Sequence, residues 1–144
     1  MIYNEQPEGF IPTMEVVGCL IECDNKILLL RRQDNKLQAN MWGVPGGKID
    51  KEDISKEEAI FRELKEETGL DLKEEDLNFH KTFFVIYPEK HFIYHHFSVN
   101  LKEIPKIIIS ESEHKAYKWM TIREALESPL IMDEDYCLKD YYGI

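Results

Sequence analysis

"GVPGGKIDKEDISKEEAIFRELKEETGL", residues 43–70, decides how the rest of the chain is read. Its first half breaks at Pro45-Gly46-Gly47, and its second half is a helix with well-marked ends. Ser55 stands where an N-cap hydroxyl belongs, Glu58 three residues on completes a capping box, and Gly69 supplies the C-cap. At about 100° per residue, Ile60, Phe61 and Leu64 gather on one side of this helix. Glu63, Glu66 and Glu67 gather on another, with the small Ala59 among them. That acidic side costs stability. Like charges three and four positions apart lose roughly 0.2–0.5 kcal/mol per pair, and the helix dipole disfavours anions at the carboxyl end by about 0.3–1 kcal/mol each. A sequence shaped by stability alone would place lysine there.

Working outward, Met14 to Cys23 (MEVVGCLIEC) and Lys26 to Arg32 (KILLLRR) read as two strands around an Asp-Asn-Lys turn, a β-hairpin. Residues 1–12 form a polar, proline-bearing arm expected to be irregular, and residues 13–144 a single domain. Gln33 to Asn40 is a polar loop. Asn78 to Tyr87 and Phe92 to Leu101 read as strands joined by a turn at Pro88–His91. Ala116 to Met120 is a further strand, Thr121 to Glu127 a helix, and Asp133 to Tyr142 a last short helix. The pattern is a mixed sheet with one or two helices laid against it, a small α/β layer fold.

The 144 residues, 43% of them hydrophobic, suffice to bury a core in one domain. The formal net charge of −10 argues against a nucleic-acid partner, whose binding calls for a basic face. It is compatible with a phosphorylated small molecule if a divalent cation bridges the two. No apolar run approaches the roughly 18 residues of a membrane span and no signal segment opens the chain, so the expectation is a soluble cytoplasmic protein. Cys19 and Cys23 share a strand, about 13 Å apart at 3.3 Å per residue, too far for a disulfide. Free, buried thiols are expected.

Glutamates at three- and four-residue spacings place their Cβ atoms about 5–6 Å apart, a spacing suited to shared hard cations such as magnesium, which take oxygen ligands. Arg62, four residues before Glu66, is placed to orient that carboxylate. An exposed E-x-x-E-E run alone is commonly just a solvated face; here it closes a well-capped helix behind a double-glycine turn.

These residues resemble the signature of the Nudix hydrolases: Gly, five residues, Glu, seven residues, then Arg-Glu-(aliphatic)-x-Glu-Glu-x-Gly-(aliphatic). Arg62, Glu63, Leu64, Glu66, Glu67, Gly69 and Leu70 match every specified position of its second half. In the first half, five residues lead from Gly47 to Asp53 rather than to a glutamate, and eight rather than seven separate Asp53 from Arg62. Either Asp53 or Glu52 takes the acidic position, and Asp50 fits the acidic site often seen after the double glycine. The W-G-V-P-G-G stretch, the LLLRR strand and Glu113 to Trp119 (E-x5-W) extend the likeness in order along the chain.

The resemblance implies the Nudix fold, a mixed sheet sandwiched between helices with the signature as loop–helix–loop. It also implies magnesium- or manganese-assisted hydrolysis of a nucleoside triphosphate, or of a nucleoside diphosphate linked to another group, by in-line attack of water on phosphorus. Glu63, Glu66 and Glu67 would be the metal ligands, Arg62 would fix their geometry, and the Gly46–Gly47 turn would let backbone approach the phosphates. The general base would be Glu67 or Glu113, with Glu111 a neighbour able to substitute. Arg31 and Arg32 are placed to reach a phosphate. Tyr87, 17 positions after Leu70, matches a tyrosine of the family's dinucleoside polyphosphate hydrolases, which makes that activity the alternative. Other readings are an isopentenyl diphosphate isomerase, unsupported by any cysteine motif, and a non-catalytic nucleotide sensor, at odds with the intact glutamates. A homodimer is favoured by base rate and family habit. Of the remaining features, His95 and His96 are expected on sheet faces or the surface, pointing opposite ways. Trp42 and Trp119 are expected as packing residues, and Tyr87, Phe92 and Tyr94 as candidate pocket walls.

Overall fold

The central strands are long because their sequences are apolar on both faces. The computed structural model describes all 144 residues and forms one mixed sheet. In chain order its strands are β1 (Ile2–Tyr3), β2 (Met14–Cys23), β3 (Lys26–Arg32), β4 (Trp42–Gly43), β5 (Gly46–Lys48), β6 (Leu77–Tyr87), β7 (Lys90–Leu101) and β8 (His114–Met120). The helices are α1 (Lys56–Thr68), α2 (Ile122–Leu126) and α3 (Glu134–Tyr142). Strand order is β1-β6-β7-β2-β3-β4, with β5 also on β2 and β8 also on β3. Only β2 and β7 run parallel among the strand pairs, in register from Met14 with Phe92 to Cys23 with Leu101.

Alternation along β2 and β3 sorts the core into two layers. Val17, Cys19, Ile21, Leu28 and Leu30 face one side, where Ala59, Ile60 and Leu64 of α1 cover them. Leu20, Ile27 and Leu29 face the other, under Ala125 of α2 and Leu138 of α3. The expected sandwich of a mixed sheet between helices is thus present. The partner of Ile60 and Leu64 in the core is Ala59 rather than Phe61, which is only half-buried, because the buried stripe lies one position toward the amino end. No helix is long and apolar enough to cross a membrane.

Several sequence expectations need correction. The amino-terminal arm is not irregular throughout: Ile2 and Tyr3 pair with Val85 and Phe84, and Phe10 is buried, stacked on His91 and edge-on to Phe84. Apolar and aromatic side chains in a polar arm found partners on the sheet edge. The turn between β6 and β7 is tighter than expected, since Lys90 and His91 already pair with Tyr87 and Ile86. His95 and His96 do point opposite ways, but His96 is wholly buried among Phe83, Tyr94 and Tyr141. All three cysteines are free and buried, as expected.

The double glycine is not only a break. Gly46–Lys48 is a strand that pairs with Val16–Gly18, filling the gap where β2 has parted from β3. A Cβ on Gly46 would strike the backbone oxygen of Val17, and one on Gly47 would lie 2.5 Å from the Glu63 carboxylate. Gly46→Ala is therefore expected to weaken the β2–β5 pairing and cost about 2–3 kcal/mol. Urea unfolding measures this; an unchanged midpoint would contradict so close an approach.

Candidate active site

α1 delivers its glutamates to the edge of β5. Ser55 caps the helix, accepting from the Glu58 N–H at 3.1 Å, and Gly69 closes it at φ 77°. The capping box is displaced by one residue: the Glu58 carboxylate accepts from the Ile54 N–H at 3.4 Å, not from Ser55. Ala59, Glu63 and Glu67 then follow one another up the stripe that faces the Gly46–Gly47 strand.

Glu67 is the most enclosed of the three glutamates, 8% exposed, and its Oε1 accepts the Gly46 N–H at 2.7 Å. Burial pushes its carboxyl up to about 8, against the Gly46 hydrogen bond and with help from the charges of Glu63 and Glu113. Burial also raises Glu63, opposed by Arg62. Glu66 is largely exposed and lies 3.4 Å from Arg62 Nη1. No three acidic, histidine or cysteine side chains converge on one point suited to a metal ion in this arrangement.

Arg62 organises the acids, and its main partner is Asp53, a residue whose role the sequence left open. Arg62 Nε and Nη2 grip the two Asp53 oxygens at 3.1 and 2.9 Å, a bidentate fork. Nη2 also donates to the Lys48 carbonyl at 3.0 Å, and Nη1 to Glu63 Oε1 at 2.8 Å. Asp50 Oδ2 lies 3.4 Å from Nη2. The guanidinium beside Asp53 holds that carboxyl below its ordinary value, and Asp53 in turn accepts the Asp50 N–H at 2.8 Å. The extra residue of the loop is thus accommodated by an aspartate that ties the loop to α1.

Glu63, Glu66, Glu67, Gly46, Gly47 and Glu113 line one cavity of about 860 Å³ with no hydrophobic residue in its wall. Arg32, Lys36 and Lys48 bring positive charge to the same wall, and Ser110, Ser112 and His114 complete it. Glu113 lies at its rim, ion-paired with Lys36 at 3.2 Å, whereas Glu111 does not line it. His114 Nδ1 is buried without a hydrogen bond, 3.9 Å from Glu67 Oε2, and burial holds this histidine down to about 4.

The structure does not bring Arg31 to this cavity. Arg31 donates to the Asn40 carbonyl at 3.1 Å and lies over the Trp42 ring, pinning the loop before β4. Arg32 takes the cavity position. Strand parity carried the signal, because Leu28, Leu30 and Arg32 share the α1 side of β3. Tyr87 lies apart as well, in a second, largely apolar cavity of about 260 Å³, where its hydroxyl donates to Asp133 Oδ2 at 3.2 Å. Phe92 and Tyr94 line it too, and the two cavities share Arg32, Gly46 and Gly47. His114, Lys36 and Lys48 were missed in the sequence, where isolated basic residues carry no spacing signal.

Two buried acids make stability of the cation-free protein depend on pH. Glu67 rises from an ordinary 4.5 to about 8 and Glu134 to about 7. A carboxyl raised by folding keeps its proton in the folded chain while the unfolded chain loses it. The stability is therefore full below about pH 4.5 and is lost as pH climbs through 7 and 8. Thermal melts in a chelator are expected to fall across that window, with Glu67 contributing on the order of 3–5 kcal/mol. In Glu67→Gln the fall should be visibly smaller; an identical slope would contradict the burial of this acid.

A mixed sheet clasped by helices, with a glycine-edged, carboxylate-rich cavity at the end of α1, defines a protein of the Nudix class. The chain belongs to the NUDIX family: residues 12–141 match the NUDIX domain. A CTP pyrophosphohydrolase of Escherichia coli (strain K12) is 31% identical over 119 residues, 81% of this chain and 82% of that protein. An ADP-ribose pyrophosphatase of Methanocaldococcus jannaschii is 46% identical over only 59 residues, 41% of this chain and 33% of that one. The solution structure of the E. coli ORF135 protein superposes with a TM-score of 0.75 at 28% identity, covering 96% of this chain and 94% of its own.

Proposed function

We propose that this Nudix pyrophosphohydrolase cleaves the diphosphate linkage of a nucleoside triphosphate, or of a nucleoside diphosphate joined to another group, with magnesium or manganese at Glu63, Glu66 and Glu67. One observation carries the reading: these carboxylates line one cavity without hydrophobic residues together with Arg32, Lys36, Lys48 and the Gly46–Gly47 strand. The relatives named for CTP and ADP-ribose support a nucleotide substrate.

The residues fit a hard cation by chemistry. Glu67 is a buried carboxyl whose ionised form is penalised by desolvation, and a divalent cation offsets that penalty. When bound, the cation polarises phosphoryl oxygens and lowers the pKa of its water. The chain's own groups do the rest. Arg32, Lys36 and Lys48 attract and hold the anionic chain, Arg62 holds Glu63 and the Asp53 loop in place, and Glu67 and Glu113 are the carboxylates placed to accept the proton of the attacking water.

The test is product release from nucleoside triphosphates, dinucleoside polyphosphates, nucleotide sugars and ADP-ribose, with and without magnesium. Magnesium-dependent cleavage of at least one class is expected. If no compound is cleaved and one binds tightly, the protein is a sensor and the enzymatic reading fails.

A further inference from the structure

His114 carries a buried ring nitrogen without a partner at the wall of the polar cavity. The residue is 7% exposed, and its Nδ1 makes no hydrogen bond. A polar atom enclosed in that state is costly unless something pairs with it. Glu67 Oε2 lies 3.9 Å from it, just beyond hydrogen-bond reach, while Glu67 Oε1 accepts the Gly46 N–H at 2.7 Å.

A shift in the β3–β8 pairing places the ring there. Trp119 stands opposite Leu28 and Tyr117 opposite Leu30, so plain alternation would put Lys115 opposite Arg32. The register shifts between Arg31 and Arg32, and His114 takes that position instead. Irregularities of this kind re-aim a side chain and are over-represented beside functional sites. Lys115 pairs with Asp34 at 2.7 Å. The strand end is fastened: the His114 N–H donates to the Ser110 carbonyl at 2.9 Å, and the Gln33 amide to the His114 carbonyl at 3.3 Å. His114 and Arg32 therefore enter the cavity together, with the imidazole next to Glu67.

Burial, with the Arg32 charge behind it, keeps the imidazole neutral at pH 7. A neutral ring has one N–H and one lone pair between its two nitrogens. A donor on Oε2, added to Gly46 on Oε1, would fix the plane of the Glu67 carboxylate from both oxygens. Each oxygen would keep a lone pair for a cation. Closing the gap to about 2.8 Å, the length of a charge-assisted hydrogen bond, takes a movement of about 1 Å. We infer that His114 is a positioning residue for Glu67: its Nδ1–H donates to Glu67 Oε2 when a divalent cation binds, and turns the carboxylate toward that cation.

The inference rests on Glu67 being a cation ligand, as in the proposed function, and its test separates the two. Mn²⁺ is titrated into the wild type, His114→Leu, His114→Asn and His114→Gln, with the free ion followed by electron paramagnetic resonance. Asparagine carries its amide nitrogen on Cγ, where histidine carries Nδ1; glutamine carries it one bond further out, near Nε2. Leucine and glutamine should weaken Mn²⁺ binding at least about tenfold, and asparagine by no more than about threefold. In a chelator His114→Leu should melt no lower than the wild type, because Nδ1 has no partner to lose there. Nitrogen NMR of the Mg²⁺-loaded wild type should show the His114 proton on Nδ1. No Mn²⁺ binding by the wild type, unchanged affinity in His114→Leu, asparagine no better than glutamine, a lowered melt in His114→Leu, or a bare Nδ1 each overturns the inference. The expected order of Mn²⁺ affinities without cleavage of any diphosphate would overturn the hydrolytic reading alone. Cleavage and Mn²⁺ binding that are indifferent to His114 would overturn this inference alone.

Discussion

Glu67→Gln lowers kcat by about 10²–10⁴ while leaving the fold intact. The amide still accepts the Gly46 N–H that Glu67 Oε1 takes at 2.7 Å, so the glycine strand keeps its place. What disappears is a carboxyl that burial beside Glu63 and Glu113 holds protonated in the cation-free chain up to about pH 8. On the proposed assignment it takes with it a cation ligand and one of two candidate proton acceptors, yet in the cation-free chain an amide has no proton for the unfolded state to release at neutral pH, so folding is favoured. Activity and stability should therefore move in opposite directions, turnover falling and the melting temperature rising at neutral pH. Glu66→Gln should lower turnover as well, with a smaller gain in stability because Glu66 is mostly exposed. Steady-state kinetics beside thermal melts measure both. Undiminished turnover in both variants would remove the carboxylates from the chemistry.

Arg62→Ala carries the second large effect, and there activity and stability fall together. One guanidinium holds Asp53 by two hydrogen bonds, Glu63 by one and the Lys48 carbonyl by another. Its removal leaves two acids and a carbonyl short of partners, and Asp53 is what fastens the loop before α1. Truncating one member of an enclosed ionic network costs about 3–5 kcal/mol; with Arg62 partly open to solvent the expectation is about 2–3 kcal/mol. Turnover should drop at least about tenfold, because Glu63 loses its anchor. Arg62→Lys should restore little, since an ammonium cannot reproduce a fork onto Asp53. Full rescue by lysine would show that charge alone matters there.

The glutamate helix was legible because its signals are local. A capping serine, a closing glycine and three acids in a costly place stand within 15 residues of one another. The hairpin and the two-sided core followed from runs of apolar residues with strand period. The strand character of Gly46–Lys48 was not legible, because glycine lowers strand propensity and the pairing with Val16–Gly18 depends on β2 parting from β3. The anchoring of the amino-terminal arm through Ile2, Tyr3 and Phe10 depends likewise on β6, some 80 positions away. Among site residues, Arg32 could have been separated from Arg31 by following the parity of β3. Lys36, Lys48 and His114 could not, since only the folded chain brings their segments to one wall. Glu134 escaped notice for a different reason: an acid at the start of a short helix reads as a solvated dipole partner, and here it is buried.

The most direct measurement is titration of Mn²⁺ into the protein, followed by electron paramagnetic resonance of the free ion, for the wild type and for Glu63→Gln, Glu66→Gln and Glu67→Gln. The account predicts saturable binding by the wild type, competed by Mg²⁺ and weakened at least about tenfold in Glu63→Gln and Glu67→Gln. Binding that is absent in the wild type, or unchanged in all three variants, would contradict the placement of a catalytic cation at the end of α1.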